Sequence, residues 1–142
     1  MEEKIITAET HTLEKMNVAM LVFFTFITGG IYAAVWFLKR LPAINSMDSP
    51  FKLASGVFSF IIAACIVNIT LIILIISGAF GSGLEENLLM SADVLGLIAQ
   101  ILLLMQSLKM RRIFIDHFGG RISFSWLATV FFGIFYLQYK IN

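Results

Sequence analysis

The chain has 142 residues, 59% of them hydrophobic and 13% charged, whereas soluble domains run at about 45–50% apolar and about 25% charged. A net charge of +1 and a single cysteine, Cys65, exclude a global field for nucleic acid and an internal disulfide. The length fits one domain, and the apolar excess points to a membrane rather than to a core surrounded by water.

Residues 1–16 are polar, with Glu2, Glu3, Glu9 and Glu14 against Lys4 and Lys15. They read as a tail or short helix at the membrane surface. Apolar stretches follow at about 17–38, 53–77, 91–108 and 122–139. Each has about the length needed to cross a hydrocarbon core of roughly 30 Å at about 1.5 Å per helical residue. The pattern predicts an all-α fold, a polytopic transmembrane bundle of four helices occupying 17–142. The first stretch is longer than the apolar part of a signal peptide, about 7–15 residues. It ends in Trp36-Phe37-Leu38-Lys39-Arg40 rather than in small residues, and reads as a permanent helix.

The first loop carries Lys39, Arg40, Asp48 and Lys52, and Ser49-Pro50 reads as the start of the second helix, a capping hydroxyl before a proline. The second loop, 78–90, is glycine-rich, has Glu85 and Glu86, and has no Lys or Arg. The third gap holds Lys109, Arg111, Arg112, Asp116, His117 and Arg121, with Gly119-Gly120 as a turn. Met110, Ile113, Phe114 and His117 fall on one helical stripe, with Lys109, Arg112 and Asp116 on another. The third helix is thus expected to run on as an amphipathic extension against anionic headgroups.

Basic residues near membrane ends stay cytoplasmic. Loops one and three hold seven (Lys39, Arg40, Lys52, Lys109, Arg111, Arg112, Arg121) against Lys4, Lys15 and Lys140 elsewhere. With four crossings, this places loops one and three inside a cell membrane and both termini outside. A second arrangement stays open: Gly29-Gly30 breaks the first helix into a re-entrant hairpin and returns the amino terminus to the cytoplasm.

Polar residues within the apolar stretches mark the faces that look at protein. Thr25, Gly29 and Tyr32 share a face in the first helix, and Thr129, Gly133 and Tyr136 share one in the fourth, by three- and four-residue spacing. The common pattern Thr-x-x-x-Gly-x-x-Tyr, with a later Ile-Asn pair in each case (Ile44-Asn45, Ile141-Asn142), reads as a faint internal repeat. These faces are expected to pack helices one and four together, glycine allowing close approach and threonine bonding across the contact. Asn68, Asp93 and Gln100 are intramembrane polar residues, either helix-packing glue or the lining of a polar path. Tyr32, Trp36, Trp126, Tyr136 and Tyr139 read as interface anchors. His11 and His117 fall on opposite faces of the membrane and read as solvated, as do Glu85 and Glu86. No catalytic, metal or cofactor constellation is present in the pattern.

Phe26-Ile27-Thr28-Gly29-Gly30-Ile31-Tyr32, then Trp36-Phe37-Leu38-Lys39-Arg40 and Asn45, resembles the Gly-Ile-Tyr…Trp helix motif of the domain of unknown function 4234, a family of small prokaryotic integral membrane proteins. The closing Phe132-Gly133-Ile134-Phe135-Tyr136-Leu137-Gln138-Tyr139-Lys140-Ile141-Asn142 and the run from Lys109 to Phe118 are similar to segments of that family. The resemblance implies a prokaryotic membrane protein and carries no activity with it.

Two functional readings follow. The first is a non-enzymatic small membrane protein acting by helix packing, as a homo-oligomer or as an accessory subunit of a membrane complex. It needs no cofactor and has no nucleic-acid partner. Its cytoplasmic contact with anionic headgroups or a partner is formed by Lys39, Arg40, Lys109, Arg111, Arg112 and Arg121. The second is an oligomeric channel or transporter component with a polar path near Asn68, Gln100 and Asp93.

Overall fold

The computed structural model describes residues 15–79, 82–119 and 121–142. The expected polar segment 1–16 lies outside the described residues, His11 included, apart from Lys15 and Met16. Regular structure among the described residues is all helical: α1 (Val18–Ile27), α2 (Ile31–Asn45), α3 (Ser55–Ile76), α4 (Ser82–His117) and α5 (Trp126–Ile141).

Two of these, α3 and α4, are long and apolar enough to cross a membrane. These correspond to the second and third expected stretches; the first and last are each broken at glycine. α1 ends with the paired bonds of a Schellman motif: Gly30 N–H donates to Thr25 O (2.9 Å) and Gly29 N–H to Phe26 O (3.2 Å). Gly29 (φ +56°) and Gly30 (φ +93°) lie in the left-handed region that a side chain disfavours. The chain then folds back. The Tyr32 hydroxyl lies 3.7 Å from Met16 Sδ, although sixteen residues of unbroken helix would separate them by about 24 Å.

In α5 the break is Gly133 (φ +48°, ψ −123°), a mirror-image conformation that glycine enters readily. Here Ser125 N–H donates to the Tyr136 hydroxyl at 2.9 Å, over eleven residues that would span about 16 Å of continuous helix. Both outer segments are therefore hairpins.

The α1–α2 tip reaches the middle of α3, where Gly30 faces Cys65 and Gly29 faces Ile69. From there α2 runs antiparallel to α3. Phe37 stacks on Phe58 (4.8 Å between ring centroids), and Asn45 bonds Leu53. α4 returns beside α3, with Asn68 Nδ2 donating to Ala92 O. The α5 hairpin packs on the last third of α4, with Gly133 facing Ser107 and Arg111 Nε donating to Phe124 O (2.9 Å).

The core sits at one end. The buried residues of α3 are Phe58, Ile61, Ala64 and Cys65, and nothing in α3 beyond Cys65 is buried. Met110, Ile113 and Phe114 of α4 are buried, and Phe114 packs on the rings of Phe118 and Phe124. The stripe expected to lie on headgroups is thus core, because the α5 hairpin folds over it. α3 starts at Ser55, not behind Ser49-Pro50. Ser49 Oγ instead accepts from Phe51 N–H and donates to Asp116 Oδ2 (2.9 Å), making a turn that ties loop one to the end of α4. His117 belongs to the same tie, its Nδ1 accepting from Asp48 N–H (3.1 Å), so it is half-buried rather than solvated.

Candidate functional site

The two hairpins meet through one chain of side-chain hydrogen bonds. Trp36 Nε1–H of α2 donates to Gln138 Oε1 of α5 at 2.9 Å, and Gln138 Nε2 donates to Asn142 Oδ1 at 2.7 Å. Asn142 grips the backbone of Met16 at both ends: Met16 N–H donates to Oδ1 (3.2 Å) and Nδ2 donates to Met16 O (2.8 Å). Gln138 is 0% exposed and Trp36 1%. Each amide is satisfied, as buried polar groups in an apolar setting must be.

Asn45 repeats the grip of Asn142. It takes Leu53 N–H on Oδ1 (2.8 Å) and gives Nδ2 to Leu53 O (2.9 Å). In both cases the gripped residue stands two before a helix, Met16 before Val18 and Leu53 before Ser55. The two Thr-x-x-x-Gly-x-x-Tyr segments are thus alike in three ways. Each breaks at its glycine, each tyrosine hydroxyl returns to the start of its own hairpin, and each closes on an asparagine that holds a backbone unit.

The roles differ from those expected of these faces. Thr25 and Thr129 do not bond across a contact. Their hydroxyls donate to Leu21 O (2.7 Å) and Ser125 O (2.8 Å), one turn back in their own helices. Gly29 and Gly133 serve as reversals. Trp36 is not an interface anchor but a buried joint, its ring carrying the Arg40 guanidinium at 4.6 Å. Tyr32 and Tyr136 are half-buried, whereas Trp126 (56% exposed) and Tyr139 (66%) do present their rings outward.

Between the α1–α2 tip, the middle of α3 and α4, and Phe135 lies a cavity of about 520 Å³. Thr25, Phe26, Gly29 and Gly30 line it from the hairpin; Cys65 and Asn68 from α3; Gly96, Ala99, Gln100 and Leu103 from α4. Gly96 leaves the space that the Asn68 amide occupies, since a Cβ there would stand 3.1 Å from Nδ2. Asn68 and Gln100 come together on this cavity, but Asp93 is exposed and does not line it. The lining has no carboxylate, amine or imidazole; its titratable group is the Cys65 thiol. Among the described residues no three His, Cys, Asp or Glu side chains gather as a metal site.

The basic residues divide. Arg40 is buried against Trp36, and Arg111 is spent on the Phe124 carbonyl. Lys39, Arg112 and Arg121 are exposed, and Lys109 is half-buried. Because both hairpins return, Lys15 and Lys140 lie at the same end as these six and Lys52. All nine described Lys and Arg therefore occupy one end, and the opposite end, between α3 and α4, carries Glu85 and Glu86.

Comparison with protein-family models, with curated proteins and with solved structures returns no match.

Proposed function

We propose that the chain is a non-enzymatic integral membrane protein that crosses the bilayer twice, with α3 and α4, and dips into the cytoplasmic leaflet with two re-entrant hairpins, α1–α2 and α5. It works by contact, with lipid headgroups and with membrane partners, which include copies of itself. The observation that carries this reading is the gathering of every described Lys and Arg at one end. The positive-inside rule gives such an end to the cytoplasm, and the reversals at Gly29-Gly30 and Gly133 remove the seven-to-three division that four crossings imply. Met16 and Asn142 then belong to the cytoplasmic side. The apolar outer faces of α3 and α4 support the same reading: only 17% and 11% of their most apolar windows are buried, where the core helix of a water-soluble protein is mostly buried.

This reading is preferred to an oligomeric channel or transporter component on the character of the cavity. Asn68 is engaged with Ala92, Asp93 stands away from the cavity, and no carboxylate, amine or imidazole lines what remains. Intramembrane transport sites are built around such groups.

Single cysteines at Lys140, Ser123 and Ala79 in a Cys65→Ala background test the topology with an impermeant thiol reagent. Lys140→Cys and Ser123→Cys are expected to label from one side and Ala79→Cys from the other. Labelling of Lys140→Cys together with Ala79→Cys would restore four crossings.

A further inference from the structure

We infer that the molecule is a leaflet wedge: its cross-section is far larger at the basic end than at the acidic end, so it favours membrane whose cytoplasmic leaflet is expanded. The inference rests on the two-crossing reading above and adds a mechanical consequence to it. At the basic end α1, α2, the first half of α3, the last third of α4 and the two arms of α5 lie side by side. At the acidic end, among the described residues, only α3 and α4 remain. A helix with its side chains is about 10–12 Å across, or roughly 80–110 Å² in section. Up to four extra helical arms thus add roughly 300–450 Å² to one leaflet alone.

Four observations make this asymmetry a built feature. The α1–α2 tip stops at Cys65 and Ile69, halfway along α3, so the hairpin fills one leaflet and no more. The α5 tip stops lower still, at Ser107, nearer the basic end of α4. The hairpins also turn apolar side chains outward, Phe23 and Ile27 from α1 and Leu127, Phe131 and Phe132 from α5, all well exposed. These displace acyl chains in the leaflet the hairpins occupy. The tie through Trp36, Gln138 and Asn142 holds the two hairpins together, so the wide end is a packed unit rather than a pair of loose arms.

The test is sorting onto membrane tubes. The full chain, as Cys65→Ala/Lys140→Cys, is placed in giant vesicles of phosphatidylcholine with phosphatidylglycerol and labelled with an impermeant fluorophore. Only molecules with the basic end outward are then visible. On a tube drawn outward, the outer leaflet is expanded, and their density is expected to rise severalfold over that on the parent vesicle as the tube narrows. Molecules labelled instead through Ala79→Cys, with the acidic end outward, are expected to be depleted from the same tubes. If the two cysteines label one and the same side, the two-crossing reading fails and the wedge with it. If they label opposite sides and neither population responds to tube radius, the topology stands and the wedge is overturned. A second copy filling the space at the acidic end would give this latter result.

Discussion

Replacing Gln138 by Leu should loosen the joint between the hairpins without opening a large cavity, because the two side chains are similar in size. The change leaves the Trp36 indole N–H, 2.9 Å from Gln138 Oε1, with no acceptor in a fully buried site. It also removes the donor that orients Asn142 on Met16. A buried donor left unpaired costs about 1–3 kcal/mol in soluble cores, while hydrogen-bonded pairs measured inside membranes average about 0.6 and reach about 1.7 kcal/mol. With two bonds affected, Gln138→Leu is expected to cost about 1–3 kcal/mol. Trp36→Phe removes the donor together with part of the ring that carries Arg40 and should cost about 2 kcal/mol. The double variant removes both partners, so it should cost less than the sum by about 0.6–1.7 kcal/mol. Unfolding in mixed micelles by sodium dodecyl sulfate titration, followed by circular dichroism, reads all three. Costs that add to within about 0.3 kcal/mol would mean the bond is not made, and the joint between the hairpins would go with it.

Gly133→Ala should destabilise more than Gly29→Ala in the same titration, by about 1–3 against about 1–2 kcal/mol, because Gly133 occupies the less accessible backbone region and Gly29 needs only the flexible Ile69 tip to yield. Gly96→Leu should drive Asn68 off Ala92 and fill part of the cavity; its cost, about 1–3 kcal/mol by overpacking, is read as a lowered melting temperature in detergent. Lys39→Gln with Arg112→Gln should weaken capture of anionic lipid by about 1 kcal/mol per charge at low salt and leave folding unchanged, as measured by the lipid that co-purifies in mild detergent. Arg111→Gln should instead lower stability, since its Nε holds Phe124.

The apolar stretches were legible because lipid and protein demand the same thing of a span, a run of apolar residues, and the boundaries of α3 fall within two residues of the expected 53–77. The hairpins were half legible. Gly29-Gly30 announces a break, but a lone Gly133 inside a long apolar run does not, since glycine also marks close helix packing. The repeat pattern picked out residues that face protein, Gly29 against Ile69 and Gly133 against Ser107, but not the chain reversals at them: spacing of three and four implies a shared face only if the helix continues, and each helix stops at the glycine. The joint was invisible for another reason. Trp36 and Gln138 are 102 residues apart, and an aromatic or amide near the end of an apolar run reads as an interface residue until the fold-back buries it. The misassigned headgroup stripe of Met110, Ile113 and Phe114 has the same origin, because a stripe shows that something covers a face but not what covers it.

The fold-back of α1 on α2 is tested most directly by a distance across it. Spin labels at Lys15→Cys and Lys39→Cys, in a Cys65→Ala background and in lipid nanodiscs, read it by pulsed electron resonance. A continuous helix places these positions about 36 Å apart. The hairpin sets them at the same end, Lys15 just before α1 and Lys39 on the neighbouring α2, and packed helix axes lie about 8–10 Å apart, so the distribution is expected to centre below about 20 Å once label length is included. A single narrow peak near 36 Å would contradict the reversal at Gly29-Gly30, and with it the gathering of the basic residues on one side of the membrane.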